Sequence, residues 1–171
     1  MHIRILNPNI TQAITEGMAT LGARFAAPGT TVDARSPATG TPSIESHVEE
    51  AIGAMGIIEQ VAIGDSEGVD GYVIACFGDT GLAAAREMTR APVVGMTEAA
   101  FFAASMVAAR FSVITLPPRT RIHTERVLRE TGMASMPDLL AALETAAGLA
   151  GAAISAQLAA HAPSDAQEDV R

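Results

Sequence analysis

The chain alternates between short apolar runs and longer segments in which apolar residues recur every three or four positions. The short runs predict buried β-strands, and the longer segments predict helices. Strands are expected at residues 2–6, 31–35, 71–76, 91–95 and 111–116. Helices are expected at about residues 11–25, 44–68, 81–89, 97–109 and 122–130. Because strands and helices alternate, the pattern predicts a three-layer α/β fold with a mostly parallel sheet of about five strands.

The pattern changes after Gly132, where no further β-branched run occurs. The segment 135–138 is typical of a helix start, with a proline inside its first turn. We expect a long Ala-rich helix to about residue 161, packing back on the core. A polar, frayed tail is expected at 162–171.

Composition and charge exclude several classes of partner. The net charge of −8 argues against nucleic acid or an anionic membrane. The first strand is broken too soon to be a signal peptide, and no apolar stretch is long enough to span a bilayer. A single cysteine forms no internal disulfide, and no group of His, Cys and Asp has metal-ligand spacing, so no metal is expected. A cytoplasmic location is the default expectation.

The third strand carries the only cysteine, Cys76, to its carboxyl end, where a Gly-rich turn and a helix follow at once. Ligands of open α/β sheets bind at this edge. Backbone N–H groups of the turn, from Gly78 to Gly81, and the helix N-terminus favour an anion, including a thiolate. We therefore interpret Cys76 as a reactive thiol; the alternative is a buried structural cysteine. A charged Asp79 would oppose thiolate formation unless it were turned away.

Other polar residues follow the same edge. Asn7 and Asn9 come after the first strand, where their amides are suited either to a carboxylate or ring carbonyl or to a turn and helix cap. Asp79 and Thr80 are suited either to orienting a substrate or to capping the helix that begins near Gly81.

Three more candidates follow the later strands. Thr97 and Glu98 open a helix, where an acid also complements the helix dipole, and Thr115 ends the last strand. Two histidines are candidate acids. His47 lies among acidic residues and is predicted to be solvated, and His123 lies in a charged segment and is predicted to be on the surface.

Five stretches in order carry a resemblance: residues 7–9, 43–47, 76–82, 95–100 and 111–116. Together they resemble the aspartate/glutamate racemase superfamily, and within it the hydantoin and allantoin racemases, over roughly residues 2–132. The resemblance implies two similar α/β lobes with the active site between them and no cofactor. One cysteine thiolate removes the proton alpha to a carbonyl, and a second thiol returns a proton from the opposite face.

On this chain the resemblance makes Cys76 the catalytic base. The substrate-binding candidates are Asn7, Asn9, Phe77, Gly78, Asp79, Thr80, Thr97, Glu98 and Thr115, with backbone N–H groups of the turn holding the enolate. The resemblance divides the chain into a first lobe with flavodoxin-like strand order 2-1-3-4, a remnant of the second lobe, the Ala-rich helix and the tail. Their bounds are 1–110, 111–134, 135–161 and 162–171.

The chain departs from the family in having no second cysteine. Three hypotheses follow: a cofactor-independent racemase of hydantoin-type cyclic ureides, a racemase-fold protein that binds a small carboxylate or ureide without turnover, and a maleate isomerase or decarboxylase of the same superfamily. An exposed edge at the last strand also predicts a homo-oligomer.

Overall fold

A four-stranded parallel sheet organises the computed structural model, which describes residues 1–109, 111, 113 and 118–134. The strands are β1 (His2–Leu6), β2 (Thr31–Arg35), β3 (Gly71–Ile74) and β4 (Val93–Gly95). The α-helices are α1 (Gln12–Phe25), α2 (His47–Ser66), α3 (Leu82–Met88), α4 (Met96–Val107) and α5 (Arg121–Glu130). A short 3-10 turn, Pro118–Thr120, precedes α5.

The strand order is β2-β1-β3-β4, and every pair is parallel. The predicted three-layer α/β class and the order 2-1-3-4 are therefore confirmed. Helix α1 lies on one face of the sheet, where Gly22 approaches Ile5 and Val32. Helix α2 lies on the other face, where Gly64 approaches the Tyr72 ring. Crossover connections of this kind cover both faces of a parallel sheet.

The main core lies between the sheet and helices α2 and α3. Its fully buried members include Leu6, Ile57, Val61 and Ile74. Tyr72 is also buried there, and its hydroxyl donates to the Val61 carbonyl at 3.2 Å or to Asp65 at 2.8 Å. These contacts hold the carboxyl edge of β1 and β3 in place.

A second apolar cluster joins α4 to α5. Its buried members are Phe101, Val113, Val127, Leu128 and Met133. This cluster packs the face of α5 that contains Val127 and Leu128 against Phe101 of α4. The segment after β4 is thus attached to the edge at which the candidate site lies.

One buried cation crosslinks β1, β2 and the end of α2. Arg4 is only 2% exposed, and its guanidinium makes two parallel bonds to Asp33, at 2.9 and 2.7 Å. A third nitrogen lies 2.7 Å from a Glu67 carboxylate oxygen. Paired carboxylates of this geometry are what permit a guanidinium to be buried.

The expected fifth strand falls mainly outside the described residues, and the Ala-rich helix and tail lie wholly outside them. Within the described ranges, no helix is both long and apolar enough to cross a membrane.

Candidate functional site

The carboxyl ends of three neighbouring strands meet at one edge of the sheet. Leu6 of β1 pairs with Ile74 of β3, and Ile74 pairs with Gly95 of β4. The residues that follow these strands therefore lie side by side, as the sequence predicts for parallel strands. They include Asn7 after β1, Cys76 after β3 and Thr97 after β4.

Cys76 lies in the turn beyond β3 and is partly buried. Its Sγ is 3.4 Å from the Thr80 hydroxyl and 3.7 Å from the Phe77 carbonyl. The Thr80 backbone N–H also hydrogen-bonds the sulfur. Thr80 therefore supplies two groups that stabilise a thiolate.

The pKa of the Cys76 thiol is nevertheless raised above its usual value. Burial is the largest cause, and the negative charges of Asp79 and Glu50 add to it, whereas the Thr80 hydrogen bonds act in the opposite direction. The expectation of a thiol pKa lowered at a helix mouth is wrong. Helix α3 has only seven residues, and its N-terminus begins at Leu82, beyond the turn. The resting thiol is protonated at neutral pH.

Asp79 caps a helix, but a different one from that expected. Its two carboxylate oxygens accept the backbone N–H groups of Thr97, at 2.8 Å, and of Glu98, at 2.9 Å, so Asp79 caps α4 rather than α3. Its φ of 54° is the left-handed conformation that a non-glycine residue rarely adopts. Gly95 leaves room for this contact, because a Cβ there would lie 2.4–2.6 Å from the Asp79 carboxyl atoms. Burial raises the pKa of Asp79 despite these hydrogen bonds.

Thr97 fixes the cysteine turn from the side of α4. Its hydroxyl accepts the Gly78 N–H at 2.8 Å and donates to the Cys76 carbonyl at 3.4 Å. The Asp79 N–H donates to the same carbonyl at 3.0 Å. The N–H groups of Gly78 and Asp79 are thus already used inside the turn, and the structure leaves neither of them free for an enolate.

Glu98 stabilises the start of α4, which was the alternative to a substrate-binding role. Its carboxylate accepts the N–H of Gly95, the N-cap residue of α4, at 3.1 Å and forms an ion pair with Arg86. Phe77 packs edge-to-face against Phe101, with ring centroids 6.4 Å apart. Thr115, the remaining candidate, lies outside the described residues.

Asn7 and Asn9 form one small network after β1. Both Asn7 amide hydrogens are used, by the Asn9 Oδ1 and the Thr15 hydroxyl, each at 3.0 Å, and the Asn7 Oδ1 accepts the Asn9 N–H. The Asn9 Oδ1 also accepts the Thr11 N–H at 2.9 Å. Asn7 is 1% exposed, whereas Asn9 is less buried. Asn7 therefore holds the turn after β1 in place, and Asn9 has the more accessible amide.

The structure also brings together a polar cluster that the sequence does not predict, consisting of His47, Glu50, His123 and Arg126. One Glu50 oxygen lies 3.2 Å from Nδ1 of each histidine, and the other lies 2.5 Å from an Arg126 nitrogen. The same Arg126 nitrogen donates to the Gly78 carbonyl at 2.6 Å. The cluster therefore reaches the cysteine turn directly.

His47 is two-thirds exposed, as predicted, but the prediction for His123 is wrong because it is 5% exposed beneath the turn. Burial, together with the positive charge of Arg126, lowers the pKa of His123 despite the nearby Glu50. The sequence contains a signal, since His47–Glu50 and His123–Arg126 are each three residues apart on one helix face. It does not show that the two faces meet.

A cavity of about 500 Å³ opens beside the turn. Its wall includes Glu50, Asp79, Arg86, Glu98 and Arg126. Among the described residues, Cys76 is not part of that wall. The cavity therefore adjoins the cysteine turn through Asp79 without exposing the sulfur.

Comparison with known proteins identifies the architecture. The family described as Asp/Glu/hydantoin racemase matches residues 3–169. The chain belongs to the Asp/Glu/hydantoin racemase family. The resemblance carried by the five stretches is confirmed.

Relatives within this racemase family have similar sequences and folds. The chain is 46% identical over 133 residues to a hydantoin racemase of Pseudomonas sp. (strain NS671), covering 78% of this chain and 53% of that protein. It is 41% identical over 132 residues to a hydantoin racemase of Rhizobium meliloti, covering 77% and 55%. An allantoin racemase from Klebsiella pneumoniae superimposes with a TM-score of 0.77 at 48% identity, covering 78% and 55%. The chain thus spans about half the length of these family members.

Proposed function

We propose that the chain acts in the racemisation of hydantoin-type cyclic ureides, with Cys76 exchanging the proton on the alpha carbon and no cofactor required. Family membership and the names of its relatives support the substrate class. The observation that carries the chemical step is the position of the Cys76 sulfur. It lies at the carboxyl edge of the sheet, partly buried, with the Thr80 hydroxyl 3.4 Å away.

The raised thiol pKa is compatible with this step. Because the alpha proton is weakly acidic, it requires a strong base, and basicity increases with pKa. Few Cys76 side chains are ionised at neutral pH, but each thiolate is a stronger base than an ordinary cysteine. After proton removal, the same group is a thiol that returns the proton to the same face. Inversion requires a second donor on the opposite face, and Cys76 is the one cysteine in the sequence.

We assign substrate recognition to Asn9 in preference to Asn7, and stabilisation of the thiolate to Thr80. Among the described residues, no hydrogen bond uses the Asn9 amide hydrogens, so this amide has donors to offer a ureide carbonyl. Asn7 positions Asn9 by the two bonds between them. The other candidates in the turn and in α4 act by holding the sulfur in place. They are Phe77, Gly78, Asp79, Thr97 and Glu98.

The second candidate function is binding of a small carboxylate or ureide without turnover. The protonated resting state of Cys76 and the single cysteine favour it. In that case the residues at the carboxyl edge of the sheet bind the ring, and the Cys76 thiol contributes a hydrogen bond instead of acting as a base.

The two functions are distinguished by solvent-deuterium exchange at the alpha carbon of a 5-substituted hydantoin, followed by NMR alongside optical rotation. We expect exchange by the wild-type protein and its loss in Cys76→Ser, with the folded circular-dichroism spectrum retained. Exchange without loss of rotation means that Cys76 works on one face alone. Ligand binding without exchange selects the second function, and undiminished exchange in Cys76→Ser refutes the role of the thiol.

Association with further copies of the chain is also proposed, from the apolar character of residues 111–116. Sedimentation velocity tests it, and a monomer across a wide concentration range contradicts it.

A further inference from the structure

The cluster beside the cysteine turn contains three metal-ligating side chains on two different helices. His47 and Glu50 lie in the first turn of α2, and His123 lies on α5. One donor atom from each lies within 4.8 Å of the other two. The two histidine Nδ1 atoms each lie 3.2 Å from the same Glu50 oxygen, and the two rings meet edge-on with centroids 5.0 Å apart.

These separations are close to those of a tetrahedral transition-metal site. With metal–nitrogen and metal–oxygen bonds near 2.0–2.2 Å, neighbouring ligand atoms in a tetrahedron lie about 3.4 Å apart. Both nitrogen–oxygen distances, at 3.2 Å, are nearly of this length. His47 is two-thirds exposed, so its ring is free to close the third edge. Two histidines and one glutamate leave the fourth position for water or another ligand.

The surroundings suit a cation in two ways. Of the two Glu50 oxygens, Arg126 contacts Oε1 and leaves Oε2 to the histidines. It therefore orients the carboxylate as the outer-shell partners of metal sites do. The walls of the adjoining cavity contain four carboxylates, those of Glu50, Asp79, Glu98 and Glu130, against two guanidiniums.

We propose that His47, Glu50 and His123 form a binding site for a divalent transition metal, with Zn²⁺ the best match to the two-nitrogen, one-oxygen donor set. The metal ties the N-terminus of α2 to α5, next to the turn that carries Cys76. This inference is independent of the racemase proposal, because it uses none of the groups to which a chemical step has been assigned.

The test uses Co²⁺ as a spectroscopic substitute for Zn²⁺. Full-length Cys76→Ser protein is titrated with Co²⁺, because removing the one thiol excludes cobalt–sulfur binding. We expect one equivalent to give the visible d–d bands of four-coordinate cobalt, and Zn²⁺ to abolish them by displacement. His47→Gln is the critical variant, since the side chain is exposed and its replacement leaves the core intact. We expect it to weaken Co²⁺ binding by at least about tenfold, a loss that even outer-shell partners produce.

His2→Gln is the matched control, because His2 also lies near a carboxylate, 3.4 Å from Asp33, but outside the cluster. It should bind Co²⁺ like the parent. Absence of d–d bands in the parent overturns the proposal, as does a His47→Gln variant that binds with unchanged affinity. A second measurement is the melting temperature, which should increase with Zn²⁺ concentration in the parent and in His2→Gln but not in His47→Gln.

Discussion

Replacing Thr97 by valine tests whether α4 holds the cysteine turn. The two side chains have nearly the same shape, so Thr97→Val removes the hydroxyl with little change in packing. Thr97 is 1% exposed, and its hydroxyl is the acceptor for the buried Gly78 N–H at 2.8 Å and a donor to the Cys76 carbonyl. Valine has a methyl group in place of the hydroxyl, so both hydrogen bonds are lost.

The expected cost follows from the Gly78 N–H, which loses its acceptor and finds no water in the buried turn. An unsatisfied buried donor costs about 1–3 kcal/mol. For a chain of this length, each 1 kcal/mol lowers the melting temperature by about 2–4 °C. Thr97→Val should therefore melt about 2–12 °C below the wild type, and Thr97→Ser, which keeps the hydroxyl, should lose less.

Thr124 provides a matched control, for which the expected change in stability has the opposite sign. It is also fully buried, but its hydroxyl has no hydrogen-bond partner in the described part of the chain. Thr124→Val therefore removes a desolvated group that gains nothing, and should leave stability unchanged or raise it by up to about 1 kcal/mol. Urea unfolding of the two variants measures both effects with the same substitution.

The reactivity of the single thiol gives an independent readout. If Thr97 fixes the turn, Thr97→Val should speed the reaction of Cys76 with a thiol-specific disulfide reagent, whereas Thr124→Val should not. Equal stability changes in the two valine variants, together with unaltered thiol reactivity, would show that the Thr97 bonds do not hold the turn.

Three further predictions concern charges and close contacts. Gly95→Ala places a Cβ against the Asp79 carboxyl and should lower unfolding stability by about 2 kcal/mol or more by displacing the helix cap. Asp79→Asn removes a charge that raises the thiol pKa, so the pH profile of Cys76 alkylation should shift to lower pH; an unmoved profile contradicts the assignment. Although burial opposes the shift, the ion pair with Arg4 lowers the pKa of Asp33 in the folded protein. The stability that this ion pair contributes is therefore present above about pH 3.9 and is lost as the pH falls further. Asp33→Asn should flatten that part of the acid-unfolding curve.

The sheet could be predicted because its signals are local. Four apolar runs separated by helical segments specify parallel strands, and crossover rules restrict their order. Helix starts follow the same logic: Ser46 accepts the Glu49 N–H and starts α2 at His47, near the expected position. The third strand was predicted two residues too long. The Ala75 N–H still donates to the Leu6 carbonyl of β1, but the Cys76 carbonyl accepts from Asp79 and from Thr97 of α4.

The roles at the site could not be predicted, because they depend on contacts between distant segments. Asp79 meets its partners 18 and 19 residues further along the chain, and Arg126 meets Gly78 across 48 residues. Residue type and position made Asp79 a candidate cap for the helix near Gly81, whereas the helix that it caps is α4. Likewise the sequence placed Cys76 at the correct edge with Asp79 beside it, but burial, the largest cause of the raised thiol pKa, and the carboxylate of Glu50 from α2 depend on the fold.

The geometry of the turn and the acidity of its thiol are coupled through the same carboxylate. Asp79 accepts two N–H groups of α4, and this contact positions Thr97 to bond the turn at Gly78. The same negative charge, in a buried setting, raises the pKa of Cys76. Removing it should therefore make the thiol easier to ionise but less well positioned. If proton exchange depends on position, Asp79→Asn will exchange more slowly even at a pH where its thiolate fraction exceeds that of the wild type. If it depends on ionisation alone, the variant will be faster, and the comparison of exchange rate with alkylation rate in one variant separates the two.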